Sequence, residues 1–188
     1  MSIHSIGNFV SAFNGGTRPN RFRITGTAPQ GVATSGAASM FPETHCVAAT
    51  LPESIVGIIP IPFRGRMYKF PGDRSYNEWT VTVLDDTGTN KTWLMFHDWS
   101  QQFNNHETNV ALEAKQVNSF CKDLTVQHLD HADAAGGSAL KSITLLNAWP
   151  VQVGPIQLDM GAANQLVQFQ VQIAYTHFQY AGSQTITA

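Results

Sequence analysis

The sequence predicts a mainly β fold, an antiparallel β-sandwich or small barrel with one helix packed across it. Two observations carry this. About six or seven segments read as strands, against a single stretch with a sustained helical period. The clearest strands alternate large apolar with polar residues, which gives one buried and one wetted face and suits an antiparallel sheet.

Taken along the chain, residues 3–14 predict a short amphipathic helix from Ile6, Phe9, Val10 and Phe13, stopped by Gly15-Gly16. The turn Thr17-Arg18-Pro19-Asn20 leads into a strand over Arg21–Thr27. Ala28–Glu43 is rich in Gly, Ala, Ser, Thr and Pro, and reads as a flexible insertion with little to bury. His45–Leu51 reads as a strand with Val47 and Ala49 on one side. Pro52–Pro62 is punctuated too heavily for a central strand. Arg66–Phe70 is expected to pair with Trp79–Leu84 as a hairpin closed around Pro71-Gly72-Asp73.

In Trp79–Leu84 the residues Trp79, Val81 and Val83 alternate with Thr80 and Thr82. Thr89–Phe103 is the one clear helix: Phe96, Trp99 and Phe103 recur at three and four, and Asp85-Asp86 lie just upstream where negative charge suits a helix N-terminus. Strands follow at Cys121–His128, Lys141–Trp149 and Leu166–Phe178. In the last, Val167, Phe169, Val171, Ile173 and Tyr175 take one face, and Gln168, Gln170 and Gln172 the other.

The length of 188 residues suits one domain over 1–188, with the insertion at about 28–43 and a short tail at about 181–188. Charged residues are only 13%, about half the usual share, as expected of a surface that partners cover. Eleven Lys and Arg against thirteen Asp and Glu give a net charge of −2, which argues against stable binding of nucleic acid through its phosphates. Cys46 and Cys121 are too few for a disulfide scaffold and read as buried thiols. The start, MSIHSIGNFVSAF, lacks a basic leader, and the most apolar run, Ile55–Phe63, is short and broken by Pro60 and Pro62. No membrane segment is expected, and cytoplasmic assembly is the default.

No residue set supports catalysis or a cofactor. His128, Asp130, His131 and Asp133 resemble a metal cluster only on paper, because no further ligand follows at a suitable spacing. His97 beside Asp98 reads as a surface pair. Asp85-Asp86 reads as a helix cap or turn rather than a carboxylate dyad. The arginines Arg64, Arg66 and Arg74 suit either a solvated loop or carboxylate recognition across an interface.

Three blocks in order resemble the tail tube proteins of contractile-tailed bacteriophages. Arg18-Pro19-Asn20 with Phe22 is similar to that family's entry into its first strand. The central block runs from Ala49-Thr50-Leu51-Pro52 through Ile59-Pro60, Phe63, Arg66 and Gly72-Asp73-Arg74 to Trp79-Thr80-Val81-Thr82-Val83 and Asp86. Trp149-Pro150 with Val153-Gly154, Ile156, Leu158 and Asp159 resembles the family's later turn. The blocks cover roughly two thirds of the chain. Ala28–Glu43 is longer than its counterpart, Ser183–Ala188 is extra, and Val110–Ser119 has no match.

The resemblance implies a structural virion protein and no enzyme. Its hexameric rings would join their inner sheets into one barrel, pairing strand edges that a lone sandwich exposes, and would stack into the inner tube of the tail. Implied partners are further copies of the chain and the sheath, baseplate and tape-measure proteins, with double-stranded DNA passing through unbound. The expected interface residues are Arg64, Arg66, Asp73, Arg74 and Tyr76, within a loop and hairpin from about Gly57 to Tyr76. Two wetted faces are candidates for the channel lining: Gln168, Gln170 and Gln172, or Asp123, Thr125 and Gln127. The alternatives are a tube subunit of a related injection machine, such as a bacteriocin or secretion needle, and a carbohydrate-binding sandwich.

Overall fold

The computed structural model describes residues 16–27, 45–87, 91–111, 120–130 and 139–181, together with residues 6, 7, 9, 13, 29 and 32. Among these, nine strands and one extended helix follow in the order β1 (Phe22–Gly26), β2 (Cys46–Ala49), β3 (Ser54–Phe63), β4 (Arg66–Tyr76), β5 (Trp79–Leu84), α1 (Thr92–Gln101), β6 (Lys122–Leu129), β7 (Ala139–Val153), β8 (Gln168–Ala174) and β9 (His177–Tyr180). Seven strands form one antiparallel sheet in the order β1-β6-β7-β8-β5-β2, with β9 pairing to β7 off that path, while β3 and β4 form a ribbon of their own.

Alternation sets the centre of the sheet. Trp79, Val81 and Val83 of β5 stand opposite Ile173, Val171 and Phe169 of β8, and all six are buried. Thr80 and Thr82 stand opposite Gln172 and Gln170 on the other face. Such cross-strand apolar pairs are the unit that stabilises a sheet.

The sheet folds over at β7, whose fifteen residues run about 50 Å, long enough to serve two layers. Its first half pairs with β6 and β9, its second with β8. Between them Asn147 adopts a left-handed backbone, φ 54°. That extra residue flips the burial parity: Ile143 and Leu145 point inward before it, Ala148 and Pro150 after it. The freed Asn147 N–H donates to Asp123 Oδ1 at 3.0 Å. The final strand breaks at the same corner, where Thr176 N–H donates to Leu146 O at 3.0 Å before β9 begins. The fold brings Ile24, Leu124, Val126 and Leu145 of one layer into the same core as Val81, Val83, Phe169 and Val171 of the other.

Helix α1 completes this core with Met95, Phe96 and Trp99. Phe96 meets Phe169 edge-on at 6.2 Å, and Trp99 Nε1 donates to Phe120 O at 2.8 Å. Its cap residue Lys91 is left-handed (φ 37°) and offers no side-chain bond, so Asp85 Oδ1 serves instead, accepting from Trp93 N–H at 3.2 Å. This is the role expected of the upstream acidic pair.

Several expectations are corrected. Arg66–Phe70 does not pair with β5. It belongs to β4 and pairs with β3, so Pro52–Pro62, read as too punctuated for a central strand, contains a strand of the outlying ribbon. The prolines are compatible because Pro60, Pro62 and, across the ladder, Pro71 all occupy the parity whose backbone N points away from the partner strand. Val47 and Ala49 do not share a side: a bulge between Cys46 and Ala48 turns Cys46 and Ala49 toward the core and leaves Val47 exposed. Leu166–Phe178 is two strands rather than one. The helix spans Thr92–Gln101 instead of Thr89–Phe103. Most of the 3–14 helix and of the 28–43 insertion, together with 112–119, 131–138 and 182–188, lie outside the described residues. Among the described residues no helix is long and apolar enough to cross a membrane.

Candidate assembly surfaces

The β3–β4 ribbon is the first of two surfaces. Its strands pair from Ser54↔Tyr76 at the root to Phe63↔Arg66 at the tip, about 30 Å apart. A two-residue turn closes it, with Arg64 at φ 45° and Gly65 at φ 81°. Positive φ at both positions is the type I′ geometry that matches strand twist, and Gly65 supplies half of it without strain. The Arg64 guanidinium lies over the Phe63 ring, 5.4 Å from its centroid. Midway, the ladder slips between Val56 and Ile58, where Gly57 and Gly72 oppose each other closely: a Cβ on Gly72 would lie 3.2 Å from Gly57 O.

The root is fastened to the sandwich. Tyr76 packs on Tyr175 at 5.9 Å and edge-on to Phe178 at 5.5 Å. Arg74 Nη1 donates to Ser54 Oγ at 2.9 Å, and Asn77 Nδ2 to Glu53 Oε1 at 2.7 Å. The Tyr175 hydroxyl donates to Glu53 O at 3.4 Å, and burial, then the Glu53 carboxylate, raises its pKa above the ordinary tyrosine value. Beyond the root, apolar side chains are exposed on both faces: Ile55, Ile58, Ile59, Ile61 and Phe63 on β3, and Met67, Tyr68 and Phe70 on β4, from 45% for Phe70 to 66% for Phe63. Exposed apolar side chains gathered in this way make the ribbon a candidate contact surface.

Of the expected interface residues, Arg64, Arg66, Asp73 and Arg74 are exposed, whereas Tyr76 is half-buried and already packed within its own chain. The arginines do not form one cluster. Arg66 lies at the tip and Arg74 near the root, about 25 Å apart along β4. Sequence reasoning missed the isoleucines. Their signal was an apolar run without alternation, which an isolated ribbon presents on both sides at once.

The second surface is the outer face of the sandwich. On the β5–β8 layer, Gln168, Gln170 and Gln172 stand beside Thr80 and Thr82, and Gln152 of β7 is opposite Gln172. With the 154–167 segment these glutamines line an open cleft of about 1000 Å³. On the β1–β6–β7 layer, Thr125 and Gln127 stand opposite Thr25 and Arg23. Thr125 and Thr144 hydroxyls lie 3.2 Å apart, and Asp123 is engaged on the Asn147 amide. The strand residues of the first face are uncharged, with Asp159 on the rim of its cleft, while the second face carries Arg23 and Asp123.

Other candidates resolve simply. His128 Nε2 lies 2.9 Å from Arg18 O and so holds the entry turn; His131 and Asp133 are outside the described residues. His97 meets the ring of His106. No group of three or more metal-ligating side chains occurs among the described residues. Cys46 and Cys121 are not joined, and burial raises the Cys121 pKa.

Known proteins resemble this chain in sequence and in fold. The tail tube protein gp19 of Enterobacteria phage T4 is 29% identical over 140 residues, 72% of this chain and 79% of its own length. The tail tube protein of Serratia phage KSP90 is 27% identical over 176 residues, 93% of this chain and 94% of its own. In fold, a chain from the anti-feeding prophage baseplate superposes with a TM-score of 0.64 at 13% identity, covering 90% of this chain and 97% of that one. A chain from the sheath–tube complex of an extracellular contractile injection system gives 0.57 at 15% identity, covering 95% and 98%. A sequence model of the phage tail tube protein family matches residues 18–181, which span every described strand, and the chain belongs to that family.

Proposed function

We propose that this tail tube protein forms six-membered rings that stack into the inner tube of a contractile tail, around a channel through which double-stranded DNA leaves the virion. The observation that carries the reading is the ribbon, whose apolar side chains are exposed on both faces among the described residues. A second copy of the chain, in the ring or in the next ring, is the cover we assign. The outer edges of β1 and β2, at the two ends of the sheet path, supply backbone groups that pairing between neighbours would satisfy. Sheath, baseplate and tape-measure proteins are the further partners, and assembly takes place in the host cytoplasm. The protein acts by shape and contact, without catalysis or cofactor.

The uncharged face of Gln168, Gln170 and Gln172, with Thr80 and Thr82, is the better channel lining of the two. Its strands offer a polyanion no cation to hold it, and the cleft beside them adds one carboxylate, Asp159. Asp123, Thr125 and Gln127 then lie away from the channel. Arg64, Arg66, Asp73 and Arg74 flank the ribbon's apolar patch and give its contacts charge register.

Negative-stain electron microscopy of the purified chain over a concentration series tests the reading. Six-fold rings or hollow tubes are expected. Monomers that also fail to extend a seeded tube would overturn it.

A further inference from the structure

Away from both surfaces, two side chains are arranged as chelating ligands are. His97 of α1 and His106 of the following turn bring their Nε2 atoms to 3.2 Å, while their ring centroids are 4.9 Å apart and their planes tilted by 46°. The nitrogens are closer than the centroids, so the rings meet tip to tip and not face to face. With metal–nitrogen bonds of about 2.0–2.1 Å, two imidazole nitrogens on one tetrahedral ion lie about 3.3 Å apart. The observed spacing therefore needs little adjustment to admit an ion.

One ring is held by a stacked neighbour and the other by the turn that carries it. Trp93, one turn earlier on α1, stacks on His97 at 4.9 Å with planes 25° apart. The turn carrying His106 is closed by its own hydrogen bonds: Asn105 Oδ1 accepts from the N–H groups of Glu107 (2.9 Å) and Thr108 (3.2 Å), and Asn109 N–H donates to Asn105 O at 2.9 Å. Gln101 Oε1 accepts from His106 N–H at 3.3 Å and so ties the turn to the helix. His106 is exposed, which leaves room for water to complete a coordination shell.

We propose that His97 and His106 form a two-histidine site for one borderline divalent transition metal ion, of the zinc, nickel or copper class, with water in the remaining positions. Imidazole suits these ions, whereas calcium and magnesium require several oxygen ligands. The simpler reading of the pair is an N–H···N hydrogen bond between neutral rings, which carries no metal affinity.

Titration of the full chain, free of any histidine tag, with zinc chloride and with nickel chloride by isothermal calorimetry separates the two. One ion per chain is expected, with affinity about tenfold or more weaker in both His97→Ala and His106→Ala. His128→Ala, the histidine that holds the Arg18 carbonyl, is expected to bind as the parent does. Circular dichroism confirms that each variant is folded. No uptake by the parent chain, or uptake that His97→Ala and His106→Ala leave within about twofold, overturns the site.

Discussion

In β5 the large apolar residues Trp79, Val81 and Val83 all point one way and are at most 2% exposed, with threonines between them on the other face. In β3 the run Ile55–Phe63 has no polar alternate, and its apolar side chains stand in solvent on both faces. The residues are of the same kind and the backbones are both extended. What differs is that β5 has a neighbour on each edge and a core beneath it, while β3 has β4 alone. A two-stranded ribbon is marginal by itself, so its apolar content contributes little to the single chain. The body's sequence stabilises a monomer; the ribbon's suits an assembly.

Substitutions break or sharpen this contrast. The largest effect on the fold is expected from Trp79→Ala, which empties a core position and strands the Thr50 carbonyl that accepts from Trp79 Nε1 at 2.5 Å. A loss of about 3–5 kcal/mol in denaturant unfolding follows. Gly154→Ala comes next. The added Cβ would lie 2.6 Å from Gln170 O, the acceptor of the Gly154 N–H, and part the β7–β8 ladder at a cost of about 1–3 kcal/mol. Asp85→Ala removes the side-chain acceptor at the start of α1 and is expected to cost about 0.5–2 kcal/mol by the same measurement.

The sign reverses at Thr92. It is fully buried, and its hydroxyl has no hydrogen-bond partner among the described residues. Thr92→Val is therefore expected to stabilise by about 1 kcal/mol, seen as a raised unfolding midpoint. The smallest effect on the fold belongs to the ribbon: Ile59→Ala is expected to leave monomer unfolding within about 0.5 kcal/mol. The same variant is expected to reduce tube length and yield in micrographs. A ribbon substitution that unfolds the monomer, or one that leaves tubes intact, would erase the distinction between the two regions.

The contrast also explains what the sequence revealed. β5, β6 and β8 were legible because a strand with one buried face writes that fact as alternation, as Trp79, Val81 and Val83 do. The pairing of β4 was not legible. Local turn chemistry at Pro71-Gly72-Asp73 suggested a hairpin into β5, but the chain turns earlier, at Arg64-Gly65, and Gly72 serves the ribbon's slip in register opposite Gly57. Residues that bury nothing in their own chain carry no period, so the ribbon's apolar surface went unread although its arginines were noticed. The continuous alternation through Tyr175 likewise concealed the break before β9, because the corner is set by β7, thirty residues away. The glutamine and threonine faces were found, since they are simply the other phase of the buried pattern. The His97–His106 approach was invisible: it depends on the path of a turn and on no motif.

The corner at Asn147 has a consequence for how this gene can vary. Because Asn147 is the extra residue of the bulge, loss of its codon would restore unbroken alternation, with Ile143, Leu145, Ala148 and Pro150 still inward, and would remove the corner rather than the phase. A codon lost after the corner has the opposite effect: without Trp149, which is no extra residue, Pro150 would turn outward and Val151 inward. A codon lost between 155 and 166, where the chain is neither strand nor helix, shifts no phase. Lineages descended from this chain are thus free to change length in that segment and are held to the count in the second half of β7.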